Sequence, residues 1–286
     1  MTRSKRVRSD ASKEAHWKKY ISKSRAKVLK GLEANMDHQC IQFNGLATRL
    51  PSNANRLNCV IAHNFPELNA RDLPPADPNH HLFIMEDTTG HPLTLQISNV
   101  ITHTTTFHLE NACRKLDALG PKIHHRETNQ SETPTLLMMN QEPPVLDLIT
   151  KILRILQEDV APKLGALLKK HYPAQWERDE LAAMPWLDFG GAFFTVAIKV
   201  GSSECWHIDW NDDRCGSIAW VVPIGEFTGG DFCSPQLLTH ISICRGQVLE
   251  VQAWRLIHCG LKTTGVCHVF TLFTDGLILK HADKGK

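Results

Sequence analysis

The segment ECWHIDWNDD, residues 204–213, carries a histidine and an aspartate two positions apart, His207 and Asp209. Alternate residues of a β-strand point to the same face, so a strand here would aim both side chains in one direction. His258, 49 residues after Asp209, ends the apolar run VLEVQAWRLIH and could supply a third ligand. Two histidines and one carboxylate leave positions of an iron(II) ion open for dioxygen and a co-substrate. The alternative is that both histidines are hydrogen-bonded core residues.

The elements that must position these residues follow residue 191, where the sequence changes to short β-branched and aromatic runs separated by glycine and proline. The runs are AFFTVAIKVG, SIAWVVPIG, HISICRGQVLEVQAW and VCHVFTLFTDG. The segment GEFTGGDFCSPQL between the second and third runs predicts a Gly-Gly turn. Short strands after a helical front half predict an α+β protein. Its core would be a jelly roll of the double-stranded β-helix type with helices packed around it.

The front half favours helices. Residues 12–35 predict a basic helix, LENACRKLDALG predicts a short helix ended by Gly120, and residues 145–171 predict a long helix that kinks or breaks at Pro162. The runs NCVIAHNF and HHLFIME predict strands, whereas IHHRETNQSETPT predicts a mobile polar loop. We therefore expect a basic N-terminal helix or arm (1–35) and a single domain (36–286). Within that domain, 36–185 would be rich in helices and 190–280 would form the jelly-roll core.

Charge is unevenly distributed along the chain. The net charge is only +2, yet residues 1–30 contain eleven Lys or Arg and two acidic residues. Such a block can neutralise phosphates or serve as a nuclear address, and it also occurs on solvated helix ends. The basic N-terminus has no apolar stretch behind it, and no apolar run is long enough for a membrane span, so we expect neither a secretory signal nor a membrane protein. Nine cysteines without CxxC spacing predict reduced thiols in the cytosol or nucleus.

The order WHIDWNDD, VVPIGEFTGGDFCSPQL, RGQVLEV, LIHCG and VFTLFTD, over residues 190–278, resembles the 2-oxoglutarate/Fe(II) dioxygenases. It resembles most closely the fungal members of the ten-eleven-translocation and base-J-hydroxylase group. The resemblance implies Fe(II), 2-oxoglutarate and O2, with His207, Asp209 and His258 as metal ligands and catalytic residues. It implies oxidation of 5-methylcytosine in DNA to 5-hydroxymethylcytosine and further oxidised forms. We expect a nuclear location, methylated DNA as the partner, and no obligate protein partner.

The methyl group of a base in a duplex lies in the major groove, so an enzyme with a buried iron must flip the nucleotide out. Trp210 could stack on the flipped base or pack inside the barrel. Asn211, Asp212 and Asp275 could accept from the exocyclic amine of the base, or be ordinary turn residues.

The distal carboxylate of 2-oxoglutarate needs a cation or a strong donor. The family pattern places an arginine on the strand after the second histidine, and HCGLKTTGVCHVFTLFTD contains none. We favour His268, ten residues after His258, with Thr271 adding a hydroxyl and Lys199 as another candidate cation. Alternatively, His268 is a core histidine bonded to a carbonyl. Arg255 would face away from His258 on a regular strand.

Three functional hypotheses remain open at this point. The first is a DNA 5-methylcytosine dioxygenase. The second keeps the chemistry but acts on another methylated base such as N6-methyladenine, on RNA, or on a protein side chain. The third is a non-catalytic β-barrel binding module. The basic segment favours nucleic acid over a free metabolite but does not select the base.

Overall fold

The computed structural model describes residues 10–33, 38–43, 82–121, 123–128, 131–136, 141–182, 193, 195–201, 206–209 and 218–274. The α-helices in these ranges are α1 (Asp10–Glu33), α2 (His103–Ala118), α3 (Pro143–Ile155), α4 (Ala161–His171) and α5 (Pro173–Ala182). A π-helical turn, Leu156–Val160, joins α3 to α4. None of these helices is both long and apolar enough to cross a membrane.

The strands in the described ranges divide between the two halves of the chain. The first five are β1 (His38–Phe43), β2 (Leu82–Asp87), β3 (Pro92–Ile97), β4 (Ile123–Thr128) and β5 (Ser131–Leu136). The remaining strands are β6 (Thr195–Val200), β7 (Ala219–Ile224), β8 (Phe227–Gly229), β9 (Phe232–Ser234), β10 (Thr239–Ile241), β11 (Val248–Val251), β12 (Cys259–Gly260), β13 (Thr263–Gly265) and β14 (His268–Phe273).

Nine strands form one large sheet in the order β1-β2-β3-β11-β7-β14-β6-β5-β4. The β1–β2 pair is parallel and every other neighbouring pair in this sheet is antiparallel. A small sheet has the order β10-β9-β12, and β8 pairs with β13 in a separate ribbon. Antiparallel sheets combined with a group of helices confirm the predicted α+β class.

Alternating side chains of the large sheet serve two different layers. On β7, Trp220 and Val222 belong to a core that also contains the buried residues of α2, α3 and α4. Ala219 and Val221, which alternate with them along the strand, pack instead in a second core with Phe232 and Ile241 of the small sheet. The large sheet is therefore the middle layer, with helices on one face and the small sheet on the other.

Helix boundaries follow the sequence signals closely. Helix α2 ends at Ala118, and Gly120 adopts φ +61°, a conformation that costs glycine little. The Pro162 signal is also confirmed, because the π turn ends immediately before α4, whose first turn contains this proline.

The predicted Gly-Gly turn is present between β8 and β9, since Gly229 and Gly230 both have positive φ and a Cβ on Gly229 would collide with the carbonyl oxygen of Lys262.

A buried ion pair lies where the π turn meets α4. Lys163 Nζ is 2.9 Å from Asp159 Oδ1, and both side chains are fully buried. The hydroxyl of Thr105 on α2 donates to the other carboxylate oxygen of Asp159. A buried charge pair contributes less to stability than its Coulomb energy suggests, but removing one partner leaves an uncompensated charge, which costs about 3–5 kcal/mol. The hydrogen bond from Thr105 to Asp159 joins the π turn to α2, and Lys163 offsets the charge of the same carboxylate.

The predicted basic helix is observed as α1, and it is packed against the rest of the protein. Trp17 Nε1 donates to Glu158 Oε2 at 2.8 Å, and the hydroxyl of Tyr20 is 3.1 Å from that of Thr105. Ile21 is buried. Because these partners belong to the helical layer, α1 lies on the side of the large sheet opposite the small sheet.

Two expectations for the front half need correction. The segment predicted as a mobile polar loop forms the hairpin β4–β5, and β5 joins the large sheet through the pairing of Thr135 with Lys199. The strand predicted in HHLFIME is confirmed as β2, but it and β3 join β11, so the main sheet draws on residues from both halves. Long-range pairing, which local composition does not report, explains both differences. The NCVIAHNF run lies outside the described residues.

The five cysteines whose side chains the structure describes are free thiols, as predicted, and four of them are buried: Cys113, Cys233, Cys259 and Cys267. Burial raises the pKa of Cys113 to about 12 and that of Cys267 to about 11. These thiols therefore remain protonated and behave as small apolar groups.

A carboxyl group is buried between the large sheet and the helices. Glu250 on β11 is fully buried, and Tyr172 donates its hydroxyl hydrogen to Glu250 Oε2 at 2.7 Å. The second oxygen, Oε1, has no hydrogen-bond partner among the described residues. Burial raises the pKa of Glu250 to about 8, although the Tyr172 hydrogen bond acts in the opposite direction. The folded protein therefore holds a proton on Glu250 at neutral pH.

This proton makes stability dependent on pH. In the unfolded chain the pKa of Glu250 returns to about 4.5, so above that pH the folded state binds more protons than the unfolded state and stability falls until about pH 8. One titrating group changes the free energy of unfolding by up to about 1.4 kcal/mol per pH unit. We predict that Glu250→Gln, which keeps an acceptor for Tyr172, removes this decrease in the free energy of unfolding with rising pH. Urea unfolding at pH 5, 6, 7 and 8 measures the free energy of unfolding at each pH. Glu177→Gln, at an exposed position on α5, is the control; equal slopes in the wild type and the Glu250 variant would contradict the prediction.

Candidate metal centre and adjoining cavity

Backbone hydrogen bonds bring the three predicted ligands together. His207 lies in the extended segment 206–209, and His258 directly precedes β12. Each of these two residues donates its backbone N–H to the carbonyl of the other, at 2.9 Å in both directions, which forms an isolated antiparallel bridge. Asp209 donates its backbone N–H to the carbonyl of Ala253 at 3.1 Å. The segment that carries two ligands is thus fixed to the loop that leads to the third.

The ligand atoms converge on one point. Asp209 has one oxygen 3.9 Å from His207 Nε2 and the other 3.9 Å from His258 Nε2, and the two imidazole centroids are 4.2 Å apart. One ligand atom from each residue can be chosen so that all three lie within 4.8 Å of one another. In the described part of the chain this is the one group of at least three His, Cys, Asp or Glu residues with such geometry.

The state of His258 suits a metal ligand. Burial lowers its pKa to about 4, with a further contribution from neighbouring His207, so the imidazole is neutral at physiological pH. His258 Nδ1 is 2.9 Å from the carbonyl oxygen of Leu256, an acceptor, which assigns the ring proton to Nδ1. Nε2 then carries the lone pair, and it lies 3.9 Å from Asp209 Oδ2. Phe232 stacks on the ring at 5.4 Å between centroids and limits its rotation.

The donor set fits iron(II). Two imidazole nitrogens and one carboxylate on one side are the ligands that non-haem iron oxygenases use, whereas structural zinc sites are completed by four protein ligands, often thiolates. Cys259 adjoins His258, but its side chain packs with Cys233 and Trp206 in a separate cluster. The triad therefore provides nitrogen and oxygen ligands without sulfur.

A cavity of about 120 Å³ adjoins the triad between the large and small sheets. Its wall on the large sheet includes Lys199 of β6 and Thr271 of β14, and apolar side chains such as Val221 and Phe227 line much of the remainder. The charge of Lys199 contributes to lowering the pKa of His258, so the ammonium group acts electrostatically on the triad. A cationic group and a hydroxyl therefore face the same enclosed space as the metal ligands.

The structure places His268 away from this cavity, so its position does not support the preference for His268 at the co-substrate. His268 Nε2 is 3.1 Å from the Asp117 carboxylate of α2, on the helical side of the sheet. In the β14–β7 register, Thr271 and Val269 lie opposite the cavity residues Val221 and Pro223, whereas His268 alternates with them. Strand alternation therefore assigns His268 to the helices and Thr271 to the cavity.

Among the other predicted residues, only Arg255 is described by the structure. The guanidinium group of Arg255 pairs with Asp87 at 3.5 Å and donates a hydrogen bond to Gln252. Both partners lie outside the cavity, so Arg255 is not a cavity residue. The four candidates for base recognition, Trp210, Asn211, Asp212 and Asp275, lie outside the described residues.

Sequence reasoning missed Gln236, whose side chain bonds the backbone on both sides of Leu256. Its only sequence signal is its place in the segment SPQL after the Gly-Gly turn, which does not by itself indicate hydrogen bonds to a distant loop.

Comparisons with known proteins identify a shared fold. No family model matches the sequence, and no curated protein matches it. The structure of NgTET1 in complex with 5mC DNA aligns over 91% of this chain and 91% of its own, with a TM-score of 0.53 and 12% identity. The viral collagen prolyl hydroxylase vCPH from Paramecium Bursaria Chlorella virus-1, as its 2OG complex, aligns over 63% of this chain and 94% of its own, with a TM-score of 0.34 and 15% identity. A Pseudomonas putida prolyl-4-hydroxylase aligns over 64% and 92%, with a TM-score of 0.42 and 12% identity.

The likeness to NgTET1 spans nearly all of both chains. The chain therefore shares the fold of NgTET1, and this shared fold agrees with the resemblance to the 2-oxoglutarate/Fe(II) dioxygenases that the sequence motifs indicate. The ligand triad agrees with the predicted Fe(II), 2-oxoglutarate and O2.

Metal binding tests the triad directly. We predict that Asp209→Ala weakens binding of Co(II), an air-stable substitute for Fe(II), by more than about 100-fold, because it removes a ligand and not merely a supporting contact. Titration calorimetry measures this change. Asp231→Asn is the matched control, since Asp231 also pairs with a histidine, His240, at 2.7 Å but does not belong to the triad. Equal Co(II) affinity in the Asp209 variant and the wild type would show that the triad is not the metal site.

Proposed function

We propose that the protein is a 2-oxoglutarate- and Fe(II)-dependent dioxygenase that oxidises 5-methylcytosine in DNA to 5-hydroxymethylcytosine and further oxidised forms. The observation that carries the proposal is that His207, Asp209, His258 and Lys199 adjoin one cavity. This cavity lies in a chain that shares the fold of NgTET1, which was solved in complex with 5mC DNA. The fold likeness supports the class, and the side chains support the chemistry.

We assign the core to the double-stranded β-helix. Strands β6, β14, β7 and β11 form one wall, and the small sheet together with segment 206–209 forms the other. The cavity between them has its ligands on the second wall and Lys199 and Thr271 on the first. A jelly roll places a ligand site between its two sheets in this way. Residues 36–286 then form a single catalytic domain, on which α1 packs.

The residues divide the work of the reaction. His207, Asp209 and His258 would hold Fe(II), which supplies activation of O2 coupled to the oxidative loss of CO2 from 2-oxoglutarate. One oxygen atom enters the methyl group as a hydroxyl, and the other enters the succinate product. Lys199 Nζ and Thr271 Oγ1 would hold the distal carboxylate of the co-substrate by charge-assisted hydrogen bonding. The apolar lining excludes water and so strengthens these electrostatic contacts.

The assignment of DNA as substrate rests on charge and on the fold likeness. The basic first thirty residues would neutralise phosphates and provide affinity without sequence selection. Because α1 lies on the helical side of the large sheet, its lysines would contact DNA away from the reacting base. Phosphate contacts beside a flipped base would come from other residues. A nuclear location is part of the same proposal.

Product analysis tests the reaction and its substrate. We predict that purified protein with Fe(II), 2-oxoglutarate and a 5-methylcytosine duplex yields 5-hydroxymethylcytosine, detected by mass spectrometry of the released nucleosides. Asp209→Ala should yield none while still binding the duplex, because the metal ligands are not phosphate contacts. An unmethylated duplex is the substrate control.

Parallel reactions with N6-methyladenine DNA and with methylated RNA separate the alternatives. Product from one of these substrates, with none from 5-methylcytosine DNA, would replace the substrate assignment while keeping the enzyme class. The absence of product and of succinate in every reaction would favour the binding-module hypothesis.

Co-substrate binding tests Lys199. A hydrogen bond to a charged group contributes about 1.5–3 kcal/mol, so Lys199→Ala should raise the KM for 2-oxoglutarate by about 10- to 100-fold. The affinity for Co(II) should stay near the wild-type value, because Lys199 is not a ligand. His268→Gln, which changes the neighbouring strand position on the helical face, should leave this KM unchanged. If the His268 variant raised the KM and the Lys199 variant did not, His268 and not Lys199 would be the residue that holds the distal carboxylate.

A further inference from the structure

Gln236 lies in the 3-10 turn Pro235–Leu237 that follows β9, and its side chain reaches the loop that carries His258. Its Nε2 donates to the carbonyl oxygen of Arg255 at 3.2 Å, and its Oε1 accepts the backbone N–H of Ile257. One half-buried amide thus bonds the main chain on both sides of Leu256, the residue whose carbonyl accepts from His258 Nδ1. This side chain is not in the triad and does not line the cavity.

These hydrogen bonds form a continuous relay through one peptide group. The N–H of Ile257 and the C=O of Leu256 belong to the same peptide unit, because Leu256 precedes Ile257. Gln236 Oε1 accepts from one end of that unit, and the imidazole of His258 donates Nδ1–H to the other end. A side-chain amide and a metal-ligand ring are therefore connected through a single planar group.

The relay has two physical consequences for His258. Rotation of the 256–257 peptide would break both bonds together, so Gln236 fixes the direction of the carbonyl that orients the ring. Hydrogen bonds in series also polarise one another, which makes the Leu256 carbonyl a stronger acceptor and Nε2 a better electron donor. Ile257 and Leu256 are fully buried, so water cannot easily replace the amide at this site.

We propose that Gln236 is a positioning residue for the metal centre, which acts through the 256–257 peptide to set the tautomer and orientation of His258. The inference rests on the proposed function only in that His258 is taken to be a ligand. Gln236 need not touch the substrate, the co-substrate or the metal. Its contribution should therefore appear in metal affinity before any turnover takes place.

Variants separate the relay from a general loss of stability. Gln236→Ala removes both bonds and should weaken Co(II) binding by about 10- to 100-fold, the range found when a partner of a metal ligand is removed. Gln236→Glu keeps an acceptor for the Ile257 N–H but loses the bond to Arg255, so it should recover most of the lost affinity. The matched control is Gln247→Ala, because Gln247 is also a half-buried amide with several bonds, to Gln96, Ser98 and Cys244, but it lies away from the ligand loop.

Co(II) titration calorimetry, with visible absorption of the bound ion, distinguishes the possible failures. If the wild type binds no Co(II), the proposed function fails. If the wild type binds Co(II) and Gln236→Ala binds it equally tightly, the metal site stands and the positioning role is rejected. Equal losses in Gln236→Ala and Gln247→Ala would show a general structural effect and would also reject it.

A measurement on the metal-free wild type keeps the inference testable even if both Gln236 variants fail to fold. Long-range ¹H–¹⁵N correlation spectra of the histidine rings report which nitrogen carries the proton, and His258→Gln identifies the signal of residue 258. We expect the proton on Nδ1. A proton on Nε2 would mean that the ring does not donate to Leu256, and the relay would be rejected.

Discussion

The paired backbone hydrogen bonds between His207 and His258 are the constraint on which the rest of the site depends. Two residues 51 positions apart in sequence exchange both N–H and C=O bonds, which places their side chains next to each other on one face. Neither residue lies in a long strand, so no extended ladder would restore the register if this bridge were lost. The approach of the two imidazoles follows from this contact, and the backbone hydrogen bond from Asp209 to Ala253 then fixes the carboxylate beside them.

The same constraint explains why so many polar side chains surround a short loop. Residues 252–257 leave the regular sheet after β11 and must reach His258 with their backbone groups satisfied. Gln252 donates to the carbonyl of Pro92 and Arg255 pairs with Asp87, which fixes the outer side of the loop to β2 and β3. Gln236 bonds the loop from the small sheet. The ligand loop is therefore held from both layers, and the cavity between those layers keeps its shape without the loop having a strand ladder of its own.

Sequence reasoning succeeded where chemistry and local periodicity agree. The spacing of His207 and Asp209 predicts a shared direction, and the apolar run before His258 predicts delivery of a third ligand to the same place. The face on which His268 lies could not be predicted, for a physical reason: β12, β13 and two turns separate it from His258, so alternation cannot be counted across that interval. The hairpin β4–β5 was missed because its polar sequence is stabilised by pairing with β6, a contact that local composition does not encode. The relay through Gln236 was equally inaccessible, since it depends on a turn in one layer facing a loop in another.

The positive charge of the chain is concentrated in its N-terminal segment, away from the cavity that adjoins the triad. The first thirty residues carry a net charge of +9 while the whole chain carries +2, so the remaining 256 residues carry −7. A polyanion approaching this protein is therefore attracted mainly by the N-terminal segment, whose helix packs on the layer furthest from the cavity. Screening in salt weakens such exposed attraction far more than it weakens the enclosed contacts of the cavity. In the proposed function, affinity for nucleic acid and recognition of the reacting group would thus belong to opposite sides of the large sheet, and a change on one side would leave the other intact.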